Sequence, residues 1–195
     1  MKSAIDNITA AIVRPPRARY NKIDLGPARI RNRGQEYNRE DFEVYNDRGI
    51  LIRGSFWAVT HPDKDQAERC IIYLHPNSGS RIDVVRTRVI SIAAQAKCNV
   101  CGFDFGGCGD SGGEYVSLGV HEKEDLCAVL VHLLHRGCKR FLLWGRSMGA
   151  ATATMFYGAY RDLAAVLVVG MVLDSPFTSF QGLALDYSTG KVQIP

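Results

Sequence analysis

Short apolar runs alternate with segments of helical periodicity along most of this chain, and this alternation constrains the fold more than any other feature. Four runs are nearly continuous in apolar residues, which is typical of strands buried on both faces of a sheet. They lie at residues 69–75, 99–105, 140–144 and 164–174. Apolar residues recur at helical spacing from Ser80 to Ala96 and from Leu126 to Leu134. Such alternation predicts an α/β fold with a mostly parallel sheet and helices on both faces.

An antiparallel hairpin is predicted before these units. Residues 41–46 and 50–60 alternate apolar and polar side chains on either side of the turn-like Asp47-Arg48-Gly49. The 195 residues, 46% hydrophobic and 23% charged, suit one soluble globular domain. The longest apolar stretch, residues 163–173, is shorter than the roughly 20 residues that a membrane-spanning helix needs, so we interpret it as a buried strand.

The positive charge is concentrated at the N-terminal end. Residues 1–40 hold nine Lys or Arg and four Asp or Glu, a balance of +5, whereas residues 41–195 hold fifteen and sixteen, a balance of −1. We therefore divide the chain into a basic arm, 1–40, and a globular domain, 41–195. The simpler interpretation of the arm is a solvated segment lying over the domain, although its charge also suits contact with an anionic membrane surface. We expect no nucleic-acid partner.

The cysteines and the first residues predict a cytoplasmic protein. Six cysteines are scattered without disulfide spacing, and no apolar block of a secretory signal precedes residue 20. Cys98 and Cys101 form a single pair whose sulfurs would point in different directions along a strand, and His132 and His135 have no evident third ligand. We expect buried thiols, surface histidines, and neither a metal ion nor a cofactor.

A Gly-x-Ser-x-Gly pentapeptide follows the run at 140–144. Gly145 and Gly149 remove the side chains that would collide in a sharp strand-to-helix turn, and this turn would expose the hydroxyl of Ser147 as a nucleophile. The amide of Met148 would lie at the helix N-terminus, where it can donate to an oxyanion. The second oxyanion donor is expected in the loop after residue 74; Pro76 has no N–H, so we place it at Asn77.

Two other features are predicted at this edge of the sheet. His75 is the only histidine near it, and we interpret it as a residue that orients the loop. The glycines at 107, 109 and 112 formally match a dinucleotide-binding fingerprint. However, the next helix is expected to begin only near residue 119, too far away for its N-terminus to meet a pyrophosphate. We interpret these glycines as a tight turn.

These motifs resemble the alpha/beta-hydrolase superfamily, specifically its serine aminopeptidase-like branch, also called hydrolase-4 or lysophospholipase-like. The matching segments are YLHPNSGS, FDFGGCGDSGGEYVSLG, LLWGRSMGAATA and GMVLDSPF. The N-terminal RPPRARYNKIDLGP and DFEVYNDRG resemble a subgroup found in protists. The resemblance implies an alpha/beta-hydrolase fold, a serine nucleophile, and loop-supporting roles for His75 and Asp104. This chain has Pro76 at a position where the family usually has glycine.

The histidine of the expected triad is missing. In this superfamily the order is serine, acid, histidine, yet all five histidines precede Ser147. Asp174, at the end of the last strand, is a weaker candidate for the acid than one in a later segment. We therefore expect an N-terminal portion of a hydrolase that lacks the last strands and helices, and a 195-residue chain that is nearly inactive by itself.

Two functions are carried forward. The first is a serine hydrolase that cleaves acyl esters, thioesters or peptides through an acyl-enzyme on Ser147. The second is a non-catalytic module of the same fold, which binds a membrane surface or a protein partner through its basic arm.

Overall fold

The computed structural model describes residues 13–14, 16–177, 179 and 182. Its seven strands form one sheet. The strands are β1 (Arg29–Asn32), β2 (Gln35–Tyr45), β3 (Leu51–Val59), β4 (Arg69–Leu74), β5 (Asn99–Phe103), β6 (Arg140–Arg146) and β7 (Val168–Asp174). Their spatial order is β1-β2-β3-β5-β4-β6-β7. β4 pairs in parallel with β5 and β6, and β6 pairs in parallel with β7, whereas β1 to β3 are antiparallel.

The described helices cover both faces of this sheet. They are a short 3-10 helix (Lys22–Leu25), α1 (Lys64–Glu68), α2 (Asp83–Arg86), α3 (Val89–Ala96), α4 (Glu122–His135), α5 (Met148–Ala159) and α6 (Arg161–Leu167). α4, α5 and α6 bury apolar side chains in one core, and α2 and α3 bury theirs in another on the opposite face. The predicted layers and the predicted hairpin are therefore confirmed. None of the described helices is long and apolar enough to cross a membrane.

The predicted helix from Ser80 to Ala96 is instead two helices. Thr87 is extended between α2 and α3 (φ −102°, ψ −175°), and its hydroxyl accepts a hydrogen bond from the Val89 amide at 3.5 Å. Apolar periodicity continues through the break because both helices pack against the same core. A break at a single extended Thr is hidden within such a pattern.

The predicted buried strand at 164–174 is wrong in two respects. Its first part belongs to α6, where Ala164 and Leu167 are buried, and the strand begins only at Val168. A continuous apolar run does not distinguish a strand from a short buried helix. β7 is also the last strand of the sheet among the described residues, and Val169 is 63% exposed while Val172 is 39% exposed.

The basic arm is joined to the sheet. β2 crosses the boundary that we set after residue 40, and β1 forms the outer edge of the sheet. Arg29 and Arg31 are exposed on β1, and charged side chains on an edge strand oppose pairing with another chain. Arg14 and Arg17, in contrast, bind the loop that follows β5. Residues 1–12 of the predicted arm lie outside the described residues.

The cysteine thiols are free in the described residues. Five are buried and Cys127 is half-buried. Cys98 and Cys101 pack into the two different cores, on opposite faces of the sheet. No group of three His, Cys, Asp or Glu side chains in the described ranges is arranged to hold a metal ion.

Candidate active site

Ser147 occupies the turn between β6 and α5. Its backbone has φ 49° and ψ −113°, a region that side-chain-bearing residues rarely adopt. The Ser147 amide donates to the Asp174 carbonyl at 2.8 Å, and its carbonyl accepts from Ala151 at 3.0 Å. These bonds hold a strained conformation at the carboxyl end of the parallel strands, where strain commonly accompanies function.

The two glycines of the pentapeptide have no room for a side chain. A Cβ on Gly145 would lie 2.3 Å from the Gly149 carbonyl oxygen. A Cβ on Gly149 would lie 2.0 Å from the Leu74 carbonyl oxygen and 2.9 Å from that of His75. The turn therefore closes on itself and against the end of β4, which requires glycine at both positions.

The same contacts bring the loop after β4 beside the N-terminus of α5. Met148 is the first residue of this helix and is fully buried, so its amide belongs to the first-turn N–H groups that have no partner within the helix. Asn77 lies in the neighbouring loop, in a turn closed by the Gly79 amide and the Pro76 carbonyl at 2.9 Å. The structure thus assembles the loop of Asn77, the start of α5 and Ser147 at one edge of the sheet.

His75 ties this loop to the next one. Nδ1 lies 2.8 Å from the Pro76 carbonyl, and Nε2 accepts a hydrogen bond from the Phe105 amide at 3.1 Å. A backbone N–H can only donate, so the proton of the neutral ring lies on Nδ1. Burial lowers the pKa of His75, although nearby Asp104 opposes this shift. Both ring nitrogens are therefore occupied, and His75 is not available to take a proton from Ser147.

Asp104 is buried between the two loops and forms hydrogen bonds with both. Its Oδ1 accepts from the Arg81 amide at 2.7 Å, and its Oδ2 accepts from the Asp110 amide at 2.9 Å. Its backbone carbonyl accepts from the Ser111 hydroxyl at 2.6 Å. A Cβ on Gly109 would lie 2.4 Å from its carboxyl carbon, which explains the glycine there. The carboxylate thus holds both loops together.

Asp174 contacts Ser147 through its backbone carbonyl, which accepts a hydrogen bond from the Ser147 amide. The side chain is 50% exposed, faces Arg146 at 3.6 Å and accepts from the Ser175 hydroxyl at 2.8 Å. No described histidine lies between Asp174 and Ser147 to connect them as an acid and a nucleophile must be connected. In this geometry the carboxylate pairs with a neighbouring cation.

The remaining histidines lie elsewhere. His61 and His121 are exposed, as is His135 on α4. His132, which we predicted to be a surface histidine, is half-buried: its ring stacks on Phe42 with a centroid distance of 4.4 Å, and burial lowers its pKa. At His132 the helix face assigned to solvent from helical periodicity is partly covered by Phe42 of β2, which lies far away in sequence.

The glycine-rich loop after β5 uses its amides within the chain. The Gly107 amide donates to the Gly112 carbonyl at 2.7 Å, and the Gly112 amide donates to Leu51 at 2.7 Å. α4 begins only at Glu122, where the carboxylate accepts from the Gly119 amide at 2.7 Å. The loop is therefore folded as a compact turn, and its next helix N-terminus is occupied by a side chain of the protein itself.

Asp125 is a second buried carboxylate beneath this loop. It accepts hydrogen bonds from the Gly106 amide at 2.8 Å and from the Asn46 side chain at 2.6 Å, with Arg48 at 3.3 Å. Burial raises the pKa of Asp125 to about 6, although these partners favour its charged form. The residue links the β2–β3 turn to the glycine-rich loop.

The titration of Asp125 predicts a pH-dependent stability. Its folded pKa lies above the unfolded value near 4, so the native state binds more protons between about pH 4 and pH 6, and the free energy of unfolding falls as pH rises through this window. Relative to that of Asp125→Asn, the free energy of unfolding of the wild type should rise by about 2 kcal/mol when the pH is lowered from 7 to 4. Urea unfolding at each pH measures this difference, with exposed Asp162→Asn as the control. Parallel pH profiles for wild type and Asp125→Asn would contradict it.

Comparison with known proteins bears on both fold and chemistry. No family model matches the sequence. The chain resembles two solved structures of esterase Pf2001 from Pyrococcus furiosus, with TM-scores of 0.64 and 0.67 at 26% and 25% identity, over 92% and 93% of this chain. A putative hydrolase from Agrobacterium vitis matches with a TM-score of 0.53 at 21% identity, over 72% of this chain and 52% of its own. The chain has the alpha/beta-hydrolase fold.

A curated relative agrees with this assignment. The lysophosphatidylserine lipase ABHD12 of Danio rerio is 30% identical over 112 residues, 57% of this chain. The chain spans 28% of that lipase, and 66% and 64% of the esterase in its two structures. The similarity to this lipase and to the esterase supports a hydrolase.

Sequence reasoning missed the residues that surround the two loops. Arg81 is 3% exposed in its side chain and lies at the centre of a hydrogen-bonded cluster with Tyr20 and Asp104. Tyr20 lies in the arm, 84 residues from Asp104. Neither has a local sequence signal, because the partners meet only in the folded chain.

Proposed function

We propose that this chain is part of a serine hydrolase that cleaves an acyl ester, thioester or peptide through an acyl-enzyme on Ser147. The observation that carries the proposal is the strained turn at Ser147, closed by two glycines at which no Cβ fits. The hydroxyl attacks the substrate carbonyl, and the amides of Met148 and Asn77 stabilise the oxyanion. Water then releases the acyl group and regenerates the hydroxyl.

The proposal requires a base for the Ser147 proton. All five histidines precede Ser147, and His75 has both nitrogens occupied. We propose that the catalytic histidine, and the acid that orients it, belong to a part of the protein outside residues 1–195, with Asp174 as a weaker candidate for the acid. The 195-residue chain by itself is then nearly inactive, because loss of the base costs orders of magnitude in rate.

Finer assignments rest on the motifs. LLWGRSMGAATA and FDFGGCGDSGG support the serine aminopeptidase-like branch and its protist-type subgroup, and the lipase relative supports an acyl ester as substrate. Scattered free cysteines support a cytoplasmic location.

A fluorophosphonate probe tests this function. It reacts with activated serines, so the folded full-length protein should be labelled on the peptide that contains Ser147, while heat-denatured protein should not. The 195-residue chain should react at least about a hundredfold more slowly, because it lacks a base. A folded, full-length protein left unlabelled at Ser147 would overturn the proposal.

A further inference from the structure

The N-terminal segment 16–25 crosses the glycine-rich loop and is bonded to it. The Arg17 guanidinium donates to the Ser111 carbonyl at 2.7 Å, to the Gly109 carbonyl at 3.2 Å, and also to the Gly113 carbonyl. One planar guanidinium thus donates hydrogen bonds to three backbone carbonyls of a single loop. Lysine does not present this fork of donors.

Three residues further along, the Tyr20 hydroxyl lies inside the buried cluster. It donates to Asp104 Oδ2 at 2.5 Å and accepts from Arg81 Nε at 2.6 Å. Burial, assisted by the charge of Asp104, raises the pKa of Tyr20 above its ordinary value, so the hydroxyl remains a donor. Asp104 and Arg81 are both almost completely buried. Without the hydroxyl, each would lose a partner where water cannot easily replace it.

The cluster leads directly to the loop of Asn77. Asp104 accepts the Arg81 amide on one side and the Asp110 amide on the other. Arg81 continues the loop that begins at His75, and His75 binds the Phe105 amide as a second tie between the same loops. The position of the Asn77 amide relative to α5 therefore depends on how firmly Asp104 and Arg81 are held.

We propose that Tyr20 and Arg17 are positioning residues of the active site, which hold the loops after β4 and β5 so that the Asn77 amide faces the oxyanion. The inference rests on the proposed function and extends it to the N-terminal arm. Neither side chain touches the reacting atoms. Both act through Asp104, Arg81 and the loop carbonyls.

The test is Tyr20→Phe in the full-length protein, which removes one oxygen and keeps the ring. Turnover of p-nitrophenyl acetate is measured per active site, with sites counted by stoichiometric fluorophosphonate labelling. A displaced oxyanion donor reduces the stabilisation of the transition state more than it reduces the binding of the substrate. The kcat per site should therefore fall about tenfold, while KM changes less than about twofold. Tyr45→Phe, at an exposed tyrosine on β2, is the matched control and should keep wild-type values.

Arg17→Lys provides a second variant that keeps the charge and alters only an exposed side chain, in case Tyr20→Phe does not fold. It should lower kcat per site about threefold or more, and Arg161→Lys is its control. If either folded variant only lowers Tm or the number of titratable sites, with kcat per site unchanged, the positioning role is overturned while the hydrolase function stands. If wild-type Ser147 is not labelled at all, the proposed function itself fails.

Discussion

Ser147→Ala should lower ester hydrolysis by the full-length protein at least about a thousandfold and abolish fluorophosphonate labelling. The hydroxyl oxygen is the only heavy atom that the substitution removes, and it is the atom that forms the acyl-enzyme. The backbone at Ser147 is held by its own amide and carbonyl bonds, to Asp174 and Ala151, which alanine retains. The rate should therefore fall without loss of the fold. Initial rates with p-nitrophenyl acetate and a thermal melt of the same sample measure both.

The matched control is Ser91→Ala, which removes a hydroxyl from α3 and should leave the rate within about twofold. Alanine and serine bear the same strain at a positive φ, so the free energy of unfolding of Ser147→Ala should change by less than about 1 kcal/mol. A folded Ser147→Ala protein that retains more than about a tenth of the wild-type rate would show that another residue is the nucleophile.

The layers of this fold follow from sequence because each layer has its own apolar period. Buried parallel strands appear as continuous runs, and α4 buries Leu126, Val129, Leu130 and Leu133 at helical spacing. The same reasoning fails where two structures share one pattern. The apolar run at 163–173 suits either a helix or a strand, and only packing determines that α6 ends at Leu167.

The Gly-x-Ser-x-Gly turn was predictable because its geometry is encoded in consecutive residues. The hydrogen bonds that hold the neighbouring loops were not predictable, because they join residues about 20 to 100 positions apart in the sequence. Arg17 was interpreted by its charge alone, as part of a basic arm, yet its guanidinium binds loop carbonyls. Net charge describes how a segment interacts at a distance, whereas hydrogen-bond geometry determines where it lies.

Gly149→Ala should lower the free energy of unfolding by about 3 kcal/mol or more, or prevent folding. The new Cβ would lie 2.0 Å from the Leu74 carbonyl oxygen and 2.5 Å from its carbon, and neither backbone atom can move without displacing β4. Gly158→Ala, in the same helix, is the matched control because its Cβ would meet no heavy atom within 4 Å outside its chain neighbours and the adjacent backbone of its own helix. Helix propensity alone should make that variant more stable by about 0.5 to 1 kcal/mol. Urea unfolding of both variants separates the two effects: equal stabilities would mean that α5 does not approach the end of β4 so closely, and the loop of Asn77 would then lie farther from Ser147.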